Sequence, residues 1–315
     1  MNDEETRQAW PALPYAEWAD TCATLHLFTQ IVGKVRLAQT PWLNHSWQVP
    51  LYLSARGLTT GLIAHGARAL ELEFDFVDRQ LRIVTDGPAT ALALRPMSVA
   101  DFYASVMTAL AALGTPVSIY PAPNELPEAT PFAEDREPRA YDGGAAMRFW
   151  RVLLQADRVL KAFRTGFLGK ASPVHLFWGS FDLAVTRFSG RRAPPHPGGA
   201  PHMPDAVMRE AYSHEVSSAG FWPGGPGMEE AAFYSYAWPE PPGFRGASVA
   251  PAQARFDTGL GEFVLPYAAV RSAPDPDAML LSFLTSTYAA AADAAGWDRE
   301  ALECDLGQPG RPRAA

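Results

Sequence analysis

Cysteine is nearly missing from this chain: 315 residues hold only Cys22 and Cys304, far apart and outside any C-x-x-C pattern. Two thiols build no disulfide framework, so a small stapled scaffold is excluded and a reducing compartment, the cytoplasm, is expected. Long apolar runs are missing too. None approaches the ~18 residues of a membrane span, and the opening MNDEETRQAW has neither the basic nor the apolar region of a signal peptide. No membrane partner is expected. Positive charge is scarce: 26 Lys and Arg stand against 34 Asp and Glu, for a net charge of −8, and there is no basic run. Nucleic-acid binding rests on neutralising phosphates, so nucleic acid is not an expected partner either. The spacings of zinc fingers, zincins, P-loops, nucleophile elbows and dinucleotide-binding turns are all absent, so no motif names a reaction.

What is present is an ordinary globular composition, 48% hydrophobic and 11% aromatic, in a chain long enough for one large domain or two medium ones. The 29 prolines are clustered. The stretch Pro121 to Pro138 (PAPNELPEATPFAEDREP) is acidic, aperiodic and full of breakers, and reads as an extended connector. The expected organisation is an N-terminal α+β half over 1–122, the connector over 123–142, a C-terminal α+β half over 143–300 and a tail over 301–315. Arg191–Pro204 and Pro239–Pro251 read as long loops.

Four helices have physical signatures. Pro14 suits a first helical position, and Trp18, Cys22, Leu25, Thr29 and Val32 follow at helical spacing to about Leu37. Ser98-Val-Ala-Asp101 is a capping box that opens a helix stopped by Gly114. Gly144 to about Leu168 carries Met147, Trp150, Leu154 and Phe163 near one face. The last has Asp275 as N-cap, Pro276 in its first turn and Gly296 beyond its end. Leu70-Glu-Leu-Glu-Phe-Asp-Phe76 alternates strictly and turns into Leu81-Arg-Ile-Val84, a hairpin with one wet acidic face. His45–Leu53, Val174–Phe188, Ala211–Gly220 and Ala231–Trp238 also read as strands. The fold class is α+β: antiparallel sheets packed with long helices. A faint repeat of helix, Gly-Lys, His and Trp (Gly33-Lys34, His45, Trp47; Gly169-Lys170, His175, Trp178) points to two pseudo-symmetric halves.

Four of the seven histidines fall between Ser172 and Gly225: His175, His196, His202 and His214. As one unbroken strand, Val174–Phe188 has no clean face. A bulge at Gly179 gathers Val174, Leu176, Trp178, Phe181, Leu183 and Val185 on one side and His175, Phe177, Ser180, Asp182 and Thr186 on the other. That places His175 and Asp182 on one polar surface, as metal ligands or as imidazole and orienting carboxylate, or simply as exposed sheet residues. In Tyr212-Ser-His-Glu-Val216, Tyr212 and His214 share a strand face, and Glu215 joins them only if the strand breaks. His45 enters through its parallel with His175, although a lone core histidine is more often satisfied by backbone. His26 reads as packing, His196 and His202 as loop residues and His65 as a turn residue. The Gly-Lys pairs read as helix ends suited to the macrodipole, or as an anion clamp with Arg36 and Arg187. Trp178 and Trp222 are expected to wall a ligand pocket, with Arg187 beside them.

Four stretches carry a resemblance: Trp10-Pro-Ala-Leu-Pro14, Leu25-His-Leu-Phe-Thr-Gln-Ile-Val-Gly-Lys34, Ser172–Arg187 and Tyr212–Trp222. They resemble a bacterial family catalogued as a domain of unknown function, over nearly the whole chain. The resemblance implies a soluble bacterial protein with a self-contained fold, and it transfers no catalytic residue, substrate or cofactor.

The expected function is an enzyme acting on a small molecule through a histidine-centred pocket. His175, His214 and His45 are the candidate ligands of a divalent transition metal, Zn or Fe, and Asp182, Tyr212 and Glu215 the candidate catalytic groups. The alternative is a non-catalytic binding or interaction protein with an aromatic pocket.

Overall fold

A strand whose side chains alternate between apolar and polar needs a cover for one face only, and helices supply it for both sheets of this protein. The computed structural model describes residues 9–225 and 228–313. The first half runs through α1 (Ala19–Gln39), the short strands β1 (Tyr52–Leu53), β2 (Gly57–Thr59) and β3 (Ile63–His65), then β4 (Arg68–Asp75), β5 (Gln80–Thr85), β6 (Ala89–Ala93) and α2 (Val99–Ala112). The second half contains α3 (Gly143–Thr165), β7 (His175–Phe177), β8 (Asp182–Arg192), α4 (Asp205–Ala211), β9 (His214–Trp222) and β10 (Ala232–Trp238). It continues with β11 (Arg255–Asp257), β12 (Glu262–Pro266), α5 (Tyr267–Arg271), α6 (Pro276–Ala294) and α7 (Arg299–Leu302).

Both sheets are antiparallel, and the class is α+β. The first has the order β1-β2-β4-β5-β6, with β3 also on β4; the second runs β11-β12-β10-β9-β8-β7. In the first, Leu72 faces Ile83 and Phe74 faces Leu81 across the expected hairpin, all four fully buried. Phe74 stacks on Phe102 of α2, which stacks in turn on Phe28 of α1 at 3.8 Å. The other face keeps Glu71 and Glu73 beside Thr59, Ser54 and Arg82, the wet acidic side that the alternation predicts. In the second sheet Leu183, Val185, Phe221, Phe233 and Leu265 are buried on the face that meets α3 and α6. Leu51 and Leu176 exchange backbone hydrogen bonds at 2.9 and 2.8 Å, joining the two halves, and one apolar core runs through both.

Two helix caps form as the sequence predicts: the Asp101 N–H donates to Ser98 Oγ, and the Ala278 N–H donates to Asp275 Oδ1, each at 3.0 Å. Other elements depart from expectation. Pro14 precedes a 3-10 turn, Tyr15–Glu17, and α1 starts only after Trp18. His45–Leu53 is not one strand: Asn44–Ser46 is a 3-10 turn with His45 and Ser46 at positive φ, and pairing is confined to Leu51, bridged to Leu176, and to Tyr52–Leu53. Ala211 ends α4, and β9 starts at His214, because the backbone of 205–211 closes its hydrogen bonds locally. The connector 123–142 contains no helix or strand, yet Phe132 in it is fully buried.

Gly33 does not end a helix. It lies inside α1, where the indole of Trp178 fills the place a Cβ would take. Gly33→Ala is therefore a contest between two known effects. Alanine gains up to about 1 kcal/mol of helix propensity, while an atom forced into a packed ring costs roughly 1–3 kcal/mol. The overlap is severe and the ring is buried, so a net loss of stability in urea denaturation is expected; a more stable variant would contradict the packing.

Candidate functional site

The segment expected to be one bulged strand reverses direction instead. Residues 178–181 turn, with Phe181 at φ 59° and its N–H donating to the Phe177 carbonyl at 2.8 Å, so that β7 and β8 pair as a hairpin. The register sets His175 opposite Ala184 and Phe177 opposite Asp182. Because a hairpin keeps the period of two, His175, Phe177, Asp182 and Thr186 still share a face, the partition expected from a bulge. Gly179 has its own reason to be glycine: the Glu125 carboxyl occupies the position of a Cβ there.

That face of the second sheet is the floor of a cavity of about 550 Å³. Asp182, Thr186, Ser218, Tyr234, Tyr236 and Glu262 stand on its strands, one row after another across β8, β9, β10 and β12. The roof comes from the turn at His45, from α4 and from the connector residues Asn124 and Glu125, with Trp42, Trp47, Trp178 and Trp222 in the walls. Among the described residues neither lysine nor arginine lines it.

Asp182 is buried, and both of its oxygens are engaged, Oδ1 by the Ser180 hydroxyl and Oδ2 by the Tyr234 hydroxyl. Burial raises its pKa while those two donors favour the charged form. Burial, then the nearby Asp182 charge, pushes Glu125 up to about 7; Lys34 pulls the other way. Glu262 is also raised to about 7, by burial, Asp182 and Asp257. Tyr234 is held well above its ordinary value by burial and by Asp182, so it stays a donor. Tyr212 and Tyr236 share a hydroxyl hydrogen bond of 2.8 Å, and His196 stacks on Tyr212 at 4.7 Å.

The expected histidine cluster is divided. His175, on the same face, is buried beside Phe177 outside the cavity lining, its ring 4.5 Å from that of Phe177 and 6.2 Å from that of Tyr52, with no partner for Nδ1 among the described residues; burial, then Arg36, lowers its pKa to about 3. His45 lies at the far end of the floor. Its Nδ1 lies 2.9 Å from the Ala211 carbonyl, which can only accept, so Nδ1 carries the proton and Nε2 accepts from Lys170 Nζ at 2.6 Å. Both ring nitrogens are engaged within the protein. His214 is close to His45, ring centroids 6.1 Å apart, and contacts Ser213 Oγ. Asp182 and Phe188 are six residues apart on β8, roughly 20 Å, and His214 lies beyond Val216, the partner of Phe188. The structure thus brings His45 and His214 together and does not bring His175 or Asp182 to them. Among the described residues no group of three or more His, Cys, Asp or Glu is placed to hold a metal ion.

Tyr212, Trp178 and Trp222 line the cavity. Glu215 points to the opposite face, ion-paired with Arg191 at 2.6 Å. Arg187 is also on that helix-covered side, its guanidinium 3.6 Å from the Phe163 ring centroid and 4.3 Å from that of Tyr288. Burial lowers its pKa to about 10. Lys34, at 2% exposure, donates to Asn124 Oδ1 behind the wall, so neither Gly-Lys pair places a cation in the cavity. The residues that sequence reasoning passed over are Glu125, Tyr234, Tyr236 and Glu262. A period of two in Tyr234-Ser-Tyr236 signals a shared face; nothing local marks Glu125, which reaches the site through Asn124 and its bonds to Gln30 and Lys34.

Residues 10–304 match the family model described as a family of unknown function (DUF5996), and the chain belongs to that family. No curated protein and no solved structure matches it. No helix among the described residues is long and apolar enough to cross a membrane.

Glu125 and Glu262 titrate near 7 when folded against 4.5 ordinarily, so between those values the folded protein holds protons that the unfolded chain has lost, and stability falls as pH rises. His26 and His175, lowered by burial to about 4 and about 3, work in the opposite sense up to 6.5. The Glu125→Gln/Glu262→Gln double variant removes only the falling part. Its stability relative to the wild type should therefore grow from about pH 5 to about pH 7.5 in urea denaturation; a difference that stays constant with pH would contradict the raised carboxyls.

Proposed function

We propose that the protein binds a small, largely apolar molecule in the cavity between the second sheet and its roof, and that this is its biochemical role. The observation that carries the reading is the cavity itself. It has about 550 Å³ of space, within the range of ligand sites, and apolar walls with a few convergent polar groups on a rigid floor. Four tryptophans and the methionines Met203, Met208 and Met228 reach it, and such side chains shape themselves to an apolar ligand body. The cytoplasm is the compartment proposed for it, in keeping with two free thiols.

A second reading, an acid–base enzyme, is favoured by one specific observation. Glu125 and Glu262 face the cavity with pKa values of about 7, the range in which a carboxyl both gives and takes a proton at neutral pH. Chemistry in this reading belongs to the carboxyls and Tyr234. His45 and His175 are held away from it, one by Lys170 and Ala211 and the other beside Phe177 outside the cavity lining.

Filling the space tests the binding role. Ala184 lines the cavity on β8, and Ala184→Phe puts a ring into it. In a thermal-shift screen of apolar small molecules the wild type should gain stability with at least one compound class, and Ala184→Phe should lose that response while still unfolding cooperatively. An unchanged response in the variant would place the ligand elsewhere.

A further inference from the structure

Three acids line this cavity, Asp182 and Glu262 on its floor and Glu125 in its roof, and no basic side chain among the described residues of the cavity answers them. Among the described residues Lys and Arg are absent from the lining, and the histidine that is present, His45, is neutral, with Nδ1–H on Ala211 and Nε2 on Lys170. The nearest cation to Glu125, Lys34, is directed to Asn124 Oδ1, with its Nζ over the Trp178 ring at 5.3 Å and the Tyr120 ring at 5.1 Å. Asp182 has hydroxyl donors on both oxygens. The carboxyls of Glu125 and Glu262 have neither a hydrogen-bond nor an ion-pair partner among the described residues, although both are half-buried and line the cavity. A carboxylate partly withdrawn from water without a partner is disfavoured, which favours either a retained proton or a cation beside it.

The surroundings specify which kind of cation. A metal ion needs several ligands at about 2 Å from one centre, and no such group exists among the described residues. An organic ammonium does not have that requirement. Its N–H or N-methyl groups reach acceptors several ångströms apart, and aromatic faces attract it within about 6 Å. Trp178, Trp222, Tyr234 and Tyr236 supply such faces beside the acids.

We propose that the cavity takes a small organic cation, with its ammonium group received by Glu125, Glu262 and Asp182 and its apolar body held against the tryptophan and methionine walls. The inference rests on the reading of the cavity as a ligand site and adds the charge of the ligand. It also predicts a pH dependence. Glu125 faces Lys34 of α1 and Asp182 of β8; Glu262 faces Asp182 and Asp257; Tyr212, Tyr234 and Tyr236 remain neutral across the range. Binding of an ammonium requires the carboxyls to be charged, so protons leave as it enters.

Three probes of one shape separate the possibilities by calorimetric titration of the full chain: 4-phenylbutylamine, 4-phenylbutan-1-ol and 4-phenylbutyrate. The amine should bind at least about tenfold more tightly than the alcohol and the carboxylate more weakly than either, with the amine's affinity rising from about pH 6 to about pH 8 and proton release seen in buffers of different ionisation heat. The Glu125→Gln/Glu262→Gln double variant should bring the amine down to the alcohol's affinity, and Glu262→Gln alone, with a single site changed, should fall between. Equal affinity of amine and alcohol in the wild type would overturn the ligand's charge and leave the apolar cavity standing. No binding of any of the three up to about 10 mM, weaker than the loosest specific ligands, would overturn both.

Discussion

Trp178 sits in the turn between β7 and β8 with its indole pressed on α1 at Gly33 and its Nε1–H donating to the Val49 carbonyl at 2.9 Å. A helix can approach a ring this closely only where it has no side chain. The contact ties the first half of the chain to the hairpin of the second, and the turn then has little freedom. His26 of α1 reinforces it by reaching the Gly179 carbonyl at 2.8 Å and by stacking on Phe181 at 5.0 Å. With the turn fixed, Asp182 begins β8 on the cavity side, and the register carries Tyr234 and Glu262 into line with it across the sheet.

The second consequence is electrostatic. Gly179 leaves room for the half-buried carboxyl of Glu125 near the buried Asp182, and Glu262 approaches from β12. Burial and the Asp182 charge together raise the proton affinity of both glutamates. The protein answers with hydroxyls at Asp182 alone. Lys170 and Lys34 are engaged by His45 and Asn124. The polar end of the cavity is therefore acidic and incompletely paired, while its walls are apolar, and the proposals for ligand class and for acid–base chemistry both start from that imbalance.

Much of the scaffold was legible because its signals are local. The caps at Ser98 and Asp275 and the alternation of β4 and β5 each state their geometry within a few residues, and the class followed from them. The site was harder to read. Phe181 adopts a positive φ that its side chain does not advertise, so a reversal looked like a bulge; the shared face of His175 and Asp182 survived only because a hairpin and a bulge both respect the period of two. Positive φ at His45 and Ser46 likewise broke an apparent strand. Imidazole drew attention as the residue type most often found in sites, yet His45 is held by backbone and lysine and His175 is buried outside the cavity. Glu125 lay in a stretch read as an acidic connector, and it becomes part of the cavity through Asn124 and its bonds to Gln30 and Lys34 on α1 and to His202, contacts across some 80 to 90 residues that no sequence window contains.

The central claim is that carboxyls in the cavity hold protons at neutral pH and surrender them to a cationic ligand. Infrared difference spectroscopy observes this directly, since a protonated carboxyl and a carboxylate absorb at separate frequencies. At about pH 6.5, below the raised values of Glu125 and Glu262, addition of 4-phenylbutylamine should bleach a protonated-carboxyl band and raise a carboxylate band, and both changes should disappear in the Glu125→Gln/Glu262→Gln variant. A spectrum in which the amine binds with no loss of protonated carboxyl, or in which the variant gives the same change, would contradict the account.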